Sequence, residues 1–418
     1  MGKYKRMKKN QSHLKIGSII IYVAICLILT LSCSSEDREL IAVDMDAPSG
    51  NIDLKLSDML TDIKIVLLET GDGAPLVSGG GMGGGGFRVS CKYIVHYSSS
   101  ALHLFDSNGK YLKLLAVAGG GPNEFRNISG VLIDDIRNVV YYNDIKDRTM
   151  IYRIDLVSGR HLEPIEMLLD GKNFLAFDID NSGDIYGFFA SGVGNLMFIG
   201  GSEDSKVEIP YIAHKYNVEK NTVEGIAVPA AFSSTGNNRG IAKYGESMPI
   251  YDLSYSDTLF FYTKGVLSPT MTIKMRDILV DPMDGGNSLS VNLVGDKGFL
   301  LYHYYSKIDV ETGASGEISS VSVKRPRGTY MFADKSSGEL LTVKSFYIDP
   351  IDATIDISSI KVAGDYGYCY IDAYKMETFI EEATAGDKLQ EKEKDVLRKL
   401  AATITEDSNP VVIMGKIK

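Results

Sequence analysis

LFDSNGKYLKLLAVAGGGPNEFR, Leu104 to Arg126, decides how this chain is read. An apolar strand stops at Asp106-Ser107-Asn108-Gly109, a second runs from Tyr111 to Leu115, and a glycine-rich exit follows at Gly119 to Gly121. Gly109 supplies the positive φ that such a hairpin turn demands. Short β-branched and aromatic strands, divided by Asp, Asn and Gly, continue outward from it. Val131 to Ile133 precedes a turn from Asp134 to Asn138 and a strand from Val139 to Tyr142. Met150 to Ile154 runs into a turn from Asp155 to Gly159, and Ala176 to Asp178 into one from Ile179 to Gly183. Like turns return after roughly 45 residues, the length of a four-stranded propeller blade.

Later units diverge but keep the pattern. Ile250 to Leu253, Thr258 to Tyr262 and Thr270 to Ile273 make another blade; Gly298 to Tyr305, Ile318 to Val323 and Thr329 to Phe332 begin the next. From Phe87 onward this spacing allows about six blades. Near the end the apolar period changes from two to 3.6, with Met376, Phe379, Ile380 and Ala383 on one stripe and Leu389, Val396, Leu397, Leu400 and Ile404 on another. This predicts a helical insertion over about 374–406 within the last blade, because a strand, Val411 to Met414, follows the stop at Asn409-Pro410. Leu56 to Leu60 suggests one helical turn, and Ile63 to Thr70 a buried strand that shares a sheet with the last strand and closes the ring. The fold class expected over 56–418 is all-β, a six-bladed β-propeller with a small α-helical insertion.

The first residues read differently. Lys3, Lys5, Arg6, Lys8, Lys9 and Lys15 precede an apolar run, Ile16 to Leu31, and a small residue stands before Cys33. A charged segment, a short apolar core and a small residue before Cys make a lipoprotein signal peptide over 1–32, with Cys33 as the lipidation site. The run falls short of the ~20 residues of a spanning helix. Thr30 and Leu31 depart from the usual order of residues before such a cysteine. Residues 33–55 read as a polar, lipid-anchored tether. Loss of six positive charges and no acid takes the net charge from -10 to -16. So acidic a chain is unsuited to nucleic acid, and its contact with membrane is the lipid. The acidic stretch after Cys33 resembles export signals that send lipoproteins to the outer face of the outer membrane. With Cys26 inside the signal segment, Cys91 and Cys369 are the two remaining cysteines, which either pair or stand apart as apolar residues.

Taken together, four features resemble the six-bladed β-propeller lipoproteins of Bacteroidota. These are the Cys33 start, the segment from Leu56-Ser57-Asp58 to Leu67-Leu68-Glu69-Thr70, the exit Gly119-Gly120-Gly121-Pro122-Asn123-Glu124-Phe125, and the end from Asp407-Ser408-Asn409-Pro410-Val411-Val412 to Lys418. Asn123 stands where the family usually has Gly, and the glycine-rich loop at 79–86 is a local expansion. The resemblance implies a propeller, an extracytoplasmic site and a binding role, and it lends no catalytic residues.

Motifs for chemistry are sparse. The loop containing GGGMGGGG has no following Lys-Ser/Thr and opens a strand at Phe87-Arg88-Val89, so it is not a phosphate cradle. His96, His103, His161, His214 and His303 show no paired ligand spacing, and no G-x-S-x-G elbow occurs. Asp281, Asp284 and Asn287 do not have calcium-loop spacing. No metal or cofactor is expected. Asn123, Glu124, Phe125 and Arg126 offer an amide, a carboxylate, a ring and a guanidinium on an inter-blade loop, where propellers place binding residues. The structural alternative is that Phe125 plugs between blades and Glu124 pairs locally. Lys324, Arg325 and Arg327 form a basic run suited to an anionic ligand. With Tyr but no Trp, a sugar-stacking platform is weakened. The sequence therefore predicts a lipid-anchored envelope propeller that binds an envelope protein or a glycan or peptide ligand. The alternative is a hydrolase or lyase that uses the central channel.

Overall fold

Each blade rests on hydrogen bonds that its own turns dictate. In the computed structural model, Asp106 Oδ1 accepts from the backbone N–H of Asn108 and Lys110. Asp155, Asp180 and Asp334 do the same with Ser158, Ser182 and Ser336, using both backbone and hydroxyl. Gly109, Gly159, Gly183 and Gly338 close these turns with φ of 89°, 76°, 85° and 72°. The described residues are 40–71, 73–77, 85–144, 147–167, 174–180, 182–189, 211–227, 239–240, 247–251, 257–263, 266–276, 286–312, 318–324, 328–356, 360–405 and 407–418. The signal segment 1–32, Cys33, Asp281, Asp284, Arg325 and Arg327 lie outside them.

In chain order come β1 (Ile41–Asp44), β2 (Gly50–Lys55), helix α1 (Leu56–Met59) and β3 (Leu60–Leu67). Blade one is β4 (Gly85–Val89), β5 (Tyr93–Ser98), β6 (Ala101–Asp106) and β7 (Tyr111–Val117). Blade two is β8 (Ile128–Asp134), β9 (Val139–Asp144), β10 (Asp147–Asp155) and β11 (His161–Glu166). Blade three is β12 (Phe174–Ile179), β13 (Ile185–Phe189), β14 (Tyr211–Asn217) and β15 (Thr222–Ala227). Blade four is β16 (Arg239–Gly240), β17 (Ser247–Tyr251), β18 (Thr258–Thr263) and β19 (Val266–Lys274), with β1 added in parallel outside β19.

Blade five carries β20 (Gly286–Val294), β21 (Gly298–Thr312), β22 (Ile318–Lys324), β23 (Thr329–Asp334), β24 (Leu340–Ile348) and β25 (Ala353–Ile355), and β2 runs parallel to β24. Blade six is β26 (Lys361–Ala363), β27 (Tyr366–Ile371) and β28 (Val411–Ile417), completed by β3. Helices α2 (Ala373–Ala385) and α3 (Glu391–Ala401) sit between β27 and β28. The ring thus has six blades, with the helical insertion in the last one as its 3.6-residue period predicts.

Two expectations change. The stretch expected to be tether is, from Ile41 onward, woven into the sheets: Val43 and Leu54 are buried, and β1 and β2 become fifth strands of blades four and five. Short edge strands that alternate with Asn, Asp and Lys look polar in sequence, yet parallel pairing satisfies their backbones. Ile318 to Val323, expected as a blade strand, instead forms the return arm of a hairpin extending β21, with Lys307 opposite Lys324. The blade's own next strand is β23, which pairs with the first part of β21.

Closure is as expected, with β3 antiparallel to β28 and Val66 opposite Val412. Apolar layers fill the spaces between blades. Phe87, Phe105, Tyr368 and Val412 join blades one and six, while Leu104, Phe125, Val140 and Ile154 join blades one and two. Met376, Ile380 and Leu397 of the helical pair bury against Ile348 and Ile351 beside blade five. Among the described residues no helix is long and apolar enough to cross a membrane.

Candidate functional site

The innermost strands are β4, β8, β12, β16, β20 and β26, the first strand of each blade. Where β4, β8, β12 and β26 end, four blades converge on a cavity of about 190 Å³ that includes Arg88, Asp134, Asp135, Asp180, Ala363 and Asp365. Charged side chains of both signs gather at this mouth because each blade's first strand delivers its last residues there.

The mouth is held by contacts from blade to blade. Ser90 Oγ donates to Asp135 Oδ1 at 2.8 Å, and Arg137 Nη2 donates to the Ser182 carbonyl at 2.8 Å; both contacts join residues 45 apart in the chain. The periodicity of the sequence is therefore a physical latch across the first three blades, where the first turn of blade one is bound to that of blade two and that of blade two to that of blade three. Asp134 is engaged by the backbone of Ile136 and Arg137 and by the Arg137 guanidinium at 3.1 Å. Asp180 accepts from Tyr186 Oη at 2.9 Å as well as from its own turn. These carboxylates fix the frame.

Arg88 crosses the inner edge of β4. Its Nε donates to the Val131 carbonyl of blade two at 2.9 Å, while Nη1 donates to Tyr368 Oη of blade six at 3.0 Å. A guanidinium that reaches both neighbouring blades from an innermost strand ties three blades together at the cavity it lines. Tyr368 is fully buried and donates its own hydroxyl to the Phe87 carbonyl at 2.5 Å. Directly across from Tyr368 in the β26–β27 pair is Lys361. Lys361 is exposed on the first strand of blade six. Burial, and then the nearby Arg88 charge, hold its pKa below that of an ordinary lysine.

Sequence patterns chose a different surface. Asn123, Glu124 and Arg126 are exposed on the connection between blades one and two, and Asn123 takes a left-handed φ of 66°. Glu124 folds back so that its Oε2 accepts from Gly121 N–H at 2.7 Å, and a Cβ at Gly119 would strike that carboxylate. Phe125 is 1% exposed between the two blades, its ring 6.3 Å from that of Tyr142. Asp144 accepts from the backbone N–H of Arg126 and Asn127 at 2.8 and 3.1 Å. The loop is thus an internally bonded connector with a polar outer surface. Lys324 lies at the end of the β22 hairpin arm, apart from that connector in the fold.

His96 and His103 stack across β5 and β6 with ring centroids 6.0 Å apart, on the face of blade one packed toward blade six. Burial lowers the His103 pKa. The His214 ring hydrogen-bonds the Met167 carbonyl at 3.0 Å. Cys91 and Cys369 are both free; Cys91 is exposed beside Asp135, and Cys369 is buried in β27, where burial pushes its thiol up to about 12. Among the described residues, no group of three or more His, Cys, Asp or Glu is placed to hold a metal ion.

Comparison with known proteins agrees with the ring. A family model described as "Domain of unknown function (DUF4934)" matches residues 40–416. The crystal structure of a "Putative exported protein" from Bacteroides fragilis is similar over 91% of this chain and 99% of that one, at 14% identity and a TM-score of 0.54. That level of identity speaks to fold alone. A streptogramin B lyase structure aligns with 66% of this chain and 96% of its own, at 8% identity and a TM-score of 0.36, too low to bear on activity. No curated protein matches.

Proposed function

The chain belongs to the DUF4934 domain family, and from that premise we propose that it is an exported binding protein, anchored in the cell envelope by lipid on Cys33. The channel mouth takes the ligand. The observation that carries this reading is the convergence of four innermost strands on one small cavity whose charged walls are pre-positioned by inter-blade hydrogen bonds. A cavity of about 190 Å³ accommodates one end or one group of a ligand, such as a side chain or terminus of a peptide or glycan. Preorganised walls reduce the ordering that binding would otherwise require.

The anchor reading draws support from the basic segment, the short apolar run and Cys33, and from the fold it shares with a protein whose name places it among exported proteins. Outer-membrane placement with surface display follows from the acidic stretch after Cys33. Two measurements test these assignments. Metabolic labelling with an alkyne fatty acid should mark the wild type and not Cys33→Ala, and the variant should leave the membrane fraction. Native mass spectrometry of the mature chain after incubation with an envelope extract should reveal a retained mass that Ala363→Phe, which fills the mouth, removes. A retained mass indifferent to Ala363→Phe, or none at all, overturns the assignment of the mouth.

A further inference from the structure

The sheet of blade five has a gap along one strand edge. On one side of β24, pairing runs from Leu340 to Thr342 against Ala333 to Met331 of β23, and it resumes from Phe346 to Ile348 against Ile355 to Ala353 of β25. Among the described residues, no strand pairs with Val343, Lys344 and Ser345 on that side. The other side is closed, since β2 pairs with Val343 and Ser345 and the Ser345 hydroxyl donates to Asp53 Oδ1 at 2.6 Å. β23 and β25 therefore lie end to end along a single edge and leave it at the same place, where a cavity of about 520 Å³ opens. It shares no lining residue with the cavity at the channel mouth.

One wall of this slot is aromatic. Tyr302 and Tyr330 stand opposite each other in the β21–β23 pair with ring centroids 4.6 Å apart, and Tyr304 stacks on Tyr302 at 5.4 Å. The Tyr302 ring is fixed in place, because its hydroxyl accepts from Gly328 N–H at 3.0 Å and a Cβ on Gly328 would strike the ring. Only a residue without a side chain permits that approach. Thr329 and Thr354, both exposed, bring hydroxyl-bearing side chains to the lining.

Backbone groups left out of a ladder require other partners. The occupant must offer hydrogen-bonding groups to a strand edge and an apolar face to a tyrosine, within a space of the size that holds small ligands, roughly 300–1,000 Å³. An extended peptide is excluded by length: the open edge is three residues, roughly 10 Å, and β23 and β25 block its continuation at both ends. A sugar ring meets both demands, with hydroxyls around its rim and a C–H face that lies flat on an aromatic ring.

We propose that the slot between β23 and β25 is a carbohydrate-binding site, in which a pyranose ring lies against the Tyr302 and Tyr330 wall and its hydroxyls bond the open edge of β24 and the threonines beside it. Tyrosine here supplies the stacking platform for which the chain has no tryptophan. The site is separate from the channel mouth and stands whether or not the mouth takes a ligand.

The test is saturation-transfer difference NMR of the mature full-length chain with the methyl glycosides of glucose, galactose, mannose, N-acetylglucosamine and fucose, and with an end-blocked tetrathreonine peptide as the probe for strand pairing. At least one glycoside should receive saturation, strongest on its ring C–H protons, and the peptide should receive none. Tyr330→Leu, which removes the ring and keeps an apolar side chain, should weaken the fitted affinity by about fivefold or more, and Tyr330→Phe should recover most of it. Acylation by a water-soluble ester, read by peptide mass spectrometry, gives an arm that does not depend on a variant folding. The active glycoside should protect Lys344, which lines the slot, and leave the exposed Lys392 of α3 labelled. Saturation of no glycoside, of the peptide in their place, equal affinity in wild type and Tyr330→Leu, or no protection of Lys344 overturns the proposal.

Discussion

The Nδ2 amide of Asn409 donates to the Glu69 carbonyl at 2.7 Å, bonding the approach to the last strand to the exit from β3. The same amide donates to the Pro75 carbonyl at 2.9 Å, and its Oδ1 accepts from Val77 N–H at 2.7 Å. Asn409 is itself 0% exposed. Asn409→Ala would leave two carbonyls and one N–H without this partner and should lower stability by about 3 kcal/mol. Urea unfolding followed by far-UV circular dichroism measures it; a loss below about 1 kcal/mol would show that water replaces the amide.

Gly109 and Gly338 share a left-handed conformation and differ in surroundings. A Cβ on Gly109 would strike the Leu67 carbonyl oxygen, whereas one on Gly338 meets nothing within 4 Å. Gly338→Ala should cost about 1 kcal/mol from backbone conformation alone. Gly109→Ala should cost clearly more, about 2–4 kcal/mol, because β3 must shift away. Denaturation midpoints of the two variants, compared with unchanged slopes, decide the order.

Acid should loosen the turns. The Ser158 N–H and hydroxyl hold the Asp155 carboxyl below its ordinary value, and the Ser336 hydroxyl is the foremost cause of the same direction at Asp334. A carboxyl whose pKa is lowered on folding contributes stability that is fully present above its unfolded value, about 3.9, and is lost as pH falls through the folded one. The stability of the wild type should therefore fall as pH drops below about 4, and Asp155→Asn with Asp334→Asn should flatten that fall. Thermal unfolding at several pH values in that window is the measurement.

The helical pair is part of the core. Met376 is 0% exposed against Ile348 and Ile351, so Met376→Ala should cost about 2–5 kcal/mol. Val396→Ala, at an exposed position of α3, should change stability by less than about 0.5 kcal/mol. Excision of residues 376–406 should accordingly destabilise the ring, and a truncated chain with the parent's melting temperature would show that the helices are dispensable.

What was legible in sequence was local. Asp106 to Gly109 and Asp155 to Gly159 announce their turns because the side chain that bonds the backbone and the glycine that permits the bend lie within a few residues. The helical insertion was readable from its period, and closure from the apolar density of Ile63 to Leu68 and Val411 to Met414. The strands β1 and β2 were not, because their partners β19 and β24 lie hundreds of residues away and their own residues look solvated. Arg88 and Lys361 escaped for a related reason. Each is one charged residue in a short apolar strand, and only the ring brings opposite ends of the chain side by side. The connector at Asn123 to Arg126 was conspicuous because its chemistry is contiguous, which is also what allows Glu124 to bond within its own loop.

The placement of β1, β2 and β3 has a bearing on how the ring comes into being. A ribosome delivers these strands first, yet they pair with β19, β24 and β28, the last of which ends at Ile417 of 418 residues. Blade four is therefore complete only once Lys274 is made, blade five once Ile348 is made and blade six once β28 is made, and the pairing of β3 with β28 spans most of the polypeptide, a topology that folds slowly. A ring that cannot close before β28 is made stays in a threadable form until then, the state in which a polypeptide passes through a narrow translocation pore.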